Sequence, residues 1–127
     1  RVGGGTIFGP VPRDFSFKLN KKVKQLARRS ALSLRAKQEQ IIVLDALHFD
    51  APKTKAMIEV MNNLKVADKK VLFVLAENNA EVLKSAHNIQ RTNVMTVGEL
   101  NTYAIMNANA VVIVENAVKA IEETLNA

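Results

Sequence analysis

Four short apolar runs punctuate the last two-thirds of the chain: Ile41-Ile-Val-Leu-Asp45, Val71-Leu-Phe-Val-Leu75, Val94-Met-Thr-Val97 and Val111-Val-Ile-Val114. They are mostly β-branched and do not alternate with polar residues, which is the pattern of parallel strands buried on both faces. Between them, stretches at about 53–64, 79–88 and 99–106 have helical spacing, with a last one near 116–126. The alternation is βαβ, so the pattern predicts a parallel sheet covered on both faces by helices. Pro52 is favoured in a first helical turn, and Asn78 stands three residues before Glu81 as in a capping box, so each marks a helix start.

The pattern changes ahead of the first run. From Asn20, a plausible N-cap, the residues Val23, Leu26, Ala27, Ser30, Ala31 and Leu34 recur at helical spacing. This small apolar face is expected to pack inward. Residues 1–19 hold four of the five glycines and two of the three prolines, so no regular element is expected there. Fully extended, such a segment reaches roughly 60 Å at about 3.3 Å per residue. The chain therefore reads as an extended arm, 1–19, and one α/β domain, 20–127. Phe8, Phe15 and Phe17 offer faces that either stack on bases or anchor the arm, and anchoring is the favoured expectation.

Charge separates these two parts. Residues 1–38 carry ten Lys or Arg against the single acid Asp14, a net of +9, whereas residues 39–127 carry eight basic and eleven acidic side chains, a net of −3. Solubilising charge is usually interspersed with acids. A segregated polycation instead attracts a polyanion, by Coulomb forces and by counterion release. The cations on the helix, Lys21, Lys22, Lys24, Arg28, Arg29 and Arg35, repel one another unless an anion lies opposite.

Other chemistries find little support. There is no cysteine, which excludes disulfides and thiolate sites and permits a reducing compartment, the cytoplasm by default. Apolar stretches such as Val71 to Ala76 are about a third of the roughly 18 residues a membrane helix needs, so no membrane partner is expected. Residue 1 is Arg with no charged-then-apolar leader after it, so a secretory signal is not expected, and the chain reads as a fragment or a processed form. Gly3-Gly4-Gly5 follows no strand and precedes no Gly-Lys-Ser/Thr, and Phe8 stands where a dinucleotide fingerprint needs its last glycine. His48 with Asp45 or Asp50 could give metal ligands or an acid–base pair, but too few ligands are in reach and the group reads as a strand-end cluster. Ser30 and Ser33 lack a nucleophile elbow. The rival reading is a small-molecule or catalytic site at the strand C-termini near Asp45, Glu77 and Glu115. A third is a module whose basic arm docks an acidic protein. Neither a cofactor nor a metal is expected, and the chain reads as an RNA-binding protein rather than an enzyme.

Two longer segments carry a resemblance. Gly3-Gly-Gly-Thr-Ile-Phe-Gly-Pro-Val-Pro-Arg13-Asp-Phe and Leu19-Asn-Lys-Lys-Val-Lys-Gln-Leu-Ala-Arg-Arg-Ser-Ala-Leu-Ser33 closely resemble the large-subunit ribosomal protein L-four family of bacterial type. Val43-Leu-Asp45, Ala51-Pro-Lys-Thr-Lys55, Lys70-Val-Leu-Phe-Val74, Ala86-His-Asn-Ile89 and Asn107-Ala-Asn-Ala-Val-Val-Ile-Val114 follow in the same order. The resemblance implies a three-layer α/β/α domain with a four-stranded parallel sheet, bound to large-subunit ribosomal RNA beside neighbouring ribosomal proteins. It further implies that Arg1 to Gly9 are the returning limb of the family's long basic loop, whose tunnel-lining tip and preceding N-terminal segment lie outside this sequence. In some bacteria the family also represses its own operon through messenger RNA or the transcription machinery. The RNA-binding set expected here is Arg1, Gly3, Gly4, Gly5, Arg13, Lys18, Lys21, Lys22, Lys24, Arg28, Arg29 and Arg35.

Overall fold

The computed structural model describes residues 2–5 and 7–126. Its elements run α1 (Lys21–Lys37), β1 (Ile41–Leu44), α2 (Thr54–Asn63), β2 (Val71–Leu75), α3 (Ala80–His87), β3 (Thr92–Thr96), α4 (Thr102–Asn107), β4 (Ala110–Val114) and α5 (Glu115–Asn126). The four strands form one sheet in the order β1-β4-β2-β3. All pairings are parallel, with Ile41 beside Val111, Val71 beside Ala110 and Val71 beside Thr92.

The central strands β2 and β4 are buried at every position, as their unbroken apolar runs require. On one face, Leu72, Val74, Val111 and Ile113 pack against Ala31 of α1, Ile105 of α4 and Ile121 of α5. On the other, Phe73, Val71 and Val112 pack against Met57 and Met61 of α2 and Ala86 of α3. The result is the expected three-layer α/β/α architecture. Coverage is thinner at the edge than the sequence suggests: Val43 is 56% exposed on the outer strand β1, whose neighbour in the sheet is β4.

Helix starts differ in detail. Pro52 lies ahead of α2, and Lys53 takes the N-cap position, its backbone N–H donating to Ser85 Oγ at 3.0 Å. The cap of α3 is Asn79 rather than Asn78. Its Oδ1 accepts from the N–H groups of Glu81 and Val82 at 3.1 and 3.3 Å, satisfying two otherwise orphaned donors. Asn20 is the N-cap of α1 but its side chain makes no capping bond. The third strand starts two residues before the expected Val94. After it, Glu99 accepts from both the N–H and the hydroxyl of Thr96 at 3.1 Å, forming a turn that delays α4 to Thr102.

The largest departure concerns the face of α1. Ala31 is buried, but Val23, Leu26 and Leu34 are 49%, 67% and 40% exposed, and Ala27 and Ser30 are exposed as well. The docked face instead holds Gln25, Arg28, Leu32 and Arg35 alongside Ala31, a rotation of roughly 130° at about 100° per residue. Polar partners explain it. Gln25 Nε2 donates to the carbonyl of Thr124 in α5 at 3.0 Å, and Arg35 Nε donates to the carbonyl of Ile105 in α4 at 3.0 Å. Helix C-terminal carbonyls have no intrahelical partner, so amide and guanidinium groups satisfy them better than leucine can.

Candidate nucleic-acid interface

The arm leaves the domain as an irregular segment, and its described residues are exposed. Gly3 and Gly4 have φ of +92° and +71°, backbone that L side chains rarely adopt, and nothing lies within 4 Å of where their Cβ atoms would be. Gly5 is equally open. The anchoring expected of the phenylalanines does not occur: Phe8, Phe15 and Phe17 are 90%, 74% and 82% exposed. The Phe15 ring instead carries the Arg13 guanidinium 4.1 Å from its centroid, a cation–π contact that gives this stretch of arm a local shape. Beside it, Asp14 accepts from the N–H of Ser16 at 2.9 Å and from the Ser16 hydroxyl at 2.7 Å. These bonds, the backbone one foremost, hold the Asp14 carboxyl below its ordinary pKa.

On α1, Lys21, Lys22, Lys24 and Arg29 are exposed and Arg28 is half-buried, with Lys18 exposed just before the helix. Among the described residues the ion pair within 4.0 Å is that of His48 with Asp50, so these cations have no carboxylate partner. The outward apolar stripe of Val23, Leu26 and Leu34 runs between them, so the surface is cationic with apolar patches. Arg35 stands apart from the set. Its guanidinium also donates to the carbonyl of Met106 and to the side chains of Gln38, at 3.2 Å, and Gln40. It clips α1 to the end of α4, and few of its donors remain for another ligand. Arg1 lies outside the described residues.

The opposite character appears at the C-terminal ends of the strands. A crevice between the ends of β2 and β4, where helices leave towards opposite faces, is lined by Glu77, Asn78, Asn79, Glu81 and Asn116. Asp45 lies exposed at the end of β1 and is not part of this lining. Among the described residues no three His, Asp or Glu side chains converge to hold a metal ion. None of the helices described there is long and apolar enough to cross a membrane.

The fold and this front define a class: an α/β domain that carries on its surface a cationic helix and a glycine-rich arm. Residues 1–124 match the ribosomal protein L4/L1 family, and the chain belongs to that family. It is 54% identical over 125 residues to the large ribosomal subunit protein uL4 of Phocaeicola vulgatus, a match covering 98% of this chain and 60% of that protein. Similarity to the uL4 proteins of Bacteroides fragilis, 55% over 124 residues, and Flavobacterium johnsoniae, 52% over 124 residues, is of the same kind. The chain spans about 60% of the length of these curated relatives.

Proposed function

We propose that this chain is a structural, non-catalytic part of the large ribosomal subunit that binds large-subunit ribosomal RNA and supports its assembly. The observation that carries the reading is the first half of α1, where Lys21, Lys22, Lys24, Arg28 and Arg29 gather without an acidic partner among the described residues. Membership of a ribosomal protein family supports large-subunit RNA as the polyanion. In this mechanism those five residues, with Arg1, Arg13 and Lys18, neutralise phosphates, and Gly3, Gly4 and Gly5 let the arm's backbone approach RNA closely. Arg35 acts mainly by holding α1 in place. Phosphate contacts position a protein without reading sequence, and the major groove of A-form RNA is too narrow for side chains, so specificity comes from RNA tertiary shape. Neighbouring ribosomal proteins meet the remaining surface, and the chain resides on the ribosome.

The test is a salt titration of binding to large-subunit ribosomal RNA, with a variant in which Lys21, Lys22, Lys24, Arg28 and Arg29 are all Ala. About six phosphate contacts predict a slope of log affinity against log salt of roughly −4 to −5. The variant is expected to bind weakly with a much shallower slope. A slope near zero for the natural sequence, or equal binding by the variant, defeats the proposal.

A further inference from the structure

The N-terminal edge of the sheet carries a second cationic feature that the arm and α1 do not use. One polar residue immediately precedes each strand: in sheet order, Gln40, Asn109, Lys70 and Arg91. Backbone pairing fixes the row. The carbonyl of Lys70 accepts from Asn109 and Ala110 at 2.8 and 3.1 Å, and that of Arg91 accepts from Val71 at 2.9 Å. Lys70 and Arg91 therefore sit on adjacent strands, about 4.8 Å apart in the pairing direction. Arg91 has φ +61°, the left-handed conformation that Glu39 and Lys65 also adopt in the connections after α1 and α2.

Between this edge and α4 lies a pocket of about 250 Å³. That is just under the roughly 300 Å³ at which small-ligand sites usually begin, and it suits one planar ring system. The α4 wall presents Tyr103 and Asn107, four residues apart and so on one helical face, above a floor that includes Ala104 and Met95. Tyr103 is 77% exposed, leaving its ring free to stack. Asn93 and Asn107 supply amides, each both donor and acceptor, and Lys70 Nζ reaches across the rim to Asn107 Oδ1 at 3.4 Å. An aromatic face, two cations and neutral amides around a one-ring space match a nucleotide: base on the ring, phosphate on the cations, base edge on the amides. The acidic crevice at the other end of the sheet would repel the same ligand.

We propose that this pocket captures one unpaired nucleotide of RNA, a site separate from the arm and α1; the choice of RNA as its source rests on the function proposed above. Tyr103 is the sole tyrosine and the chain has no tryptophan, so its emission reports the pocket directly. The whole chain is titrated with a short single-stranded oligoadenylate, with adenosine monophosphate and with inorganic phosphate, correcting the signal against free tyrosine amide for light absorbed by the bases. Saturable quenching by the oligoadenylate is expected. It should weaken about tenfold or more in the double variant Lys70→Gln, Arg91→Asn, where Asn tolerates the positive φ. It should be unchanged in Lys119→Gln, an exposed cation of α5 outside the pocket lining. Absent quenching, or quenching indifferent to the double variant, overturns the proposal. Adenosine monophosphate binding as tightly as the oligomer overturns the assignment to RNA. If the pocket responds but large-subunit RNA binding does not depend on α1, the function proposed above fails and the nucleotide site stands. Salt-steep RNA binding with a silent Tyr103 gives the converse.

Discussion

The side-chain amide of Gln25 donates through Nε2 to the main-chain oxygen of Thr124 at 3.0 Å, fastening the first helix to the last across 99 residues of chain. Gln25 is 6% exposed, in the second turn of a helix whose Leu26 and Leu34 face outward. The bond thus helps decide which side of α1 meets the domain, and through that which side its cations occupy.

Gln25→Ala is expected to cost about 1 kcal/mol, the usual net worth of an intramolecular hydrogen bond. Urea melts read this as a lower midpoint at unchanged slope. Stability equal to the natural sequence would mean that the contact orients nothing.

Arg35 and Arg29 are both arginines on one helix, yet they are expected to behave oppositely. Arg35→Met removes charged donors from the carbonyls at the end of α4 and is predicted to destabilise by about 1–2 kcal/mol. Arg29→Met, on the exposed face, should alter stability by no more than about 0.5 kcal/mol while shallowing the salt dependence of RNA binding by about one phosphate. Thermal melts and salt titrations of the two variants side by side decide it, and a matched pair of effects would refute the division of labour.

Leu26 offers a sharper contrast. Leu26→Ser should be stability-neutral to within about 0.5 kcal/mol, because the side chain is mostly in water already. Ile105→Ala, at a position with no exposure, should cost about 2–5 kcal/mol through lost burial and the cavity left behind. A large loss on Leu26→Ser would show that the stripe packs inward after all.

The Asp14 carboxyl, held by the Ser16 N–H and hydroxyl, should titrate below the ordinary aspartate range in an NMR pH series. The folded pKa is depressed, so the turn gains from these bonds above the ordinary carboxylate pKa and loses them as pH falls through the lowered value. Ser16→Ala should move the midpoint upward only in part, since it removes the hydroxyl but keeps the backbone donor. An Asp14 midpoint at the ordinary value would mean the turn does not persist in solution.

The strand layout was the most legible part of the sequence. β2 and β4 are unbroken apolar runs, and only a parallel strand buried on both faces needs such a run. Helix boundaries were less so: Asn78 and Asn79 are the same residue type side by side, and which one caps α3 depends on backbone geometry that composition does not encode. The α1 face was misread for a deeper reason. Periodicity counts apolar residues, but the docking of α1 is decided by Gln25 and Arg35 finding carbonyls 99 and 70 residues further along the chain, at the ends of α5 and α4. The cationic front was legible because segregated charge is visible without a fold. The pocket at the sheet's N-terminal edge was not, because Lys70, Arg91 and Tyr103 are scattered along the chain and meet only once β2, β3 and α4 are in place.

The strand order also governs when the domain can exist. β1 bonds only to β4, so Ile41 has no strand beside it until Val111 has been made and has threaded between β1 and β2. Chains are synthesised from the N-terminus, and long-range parallel pairing is slow because loop closure must precede its reward. The polycationic stretch thus emerges ahead of the strands and stays free while the sheet waits for its last strand. An RNA that meets the chain early meets the arm and the basic helix before there is a domain behind them.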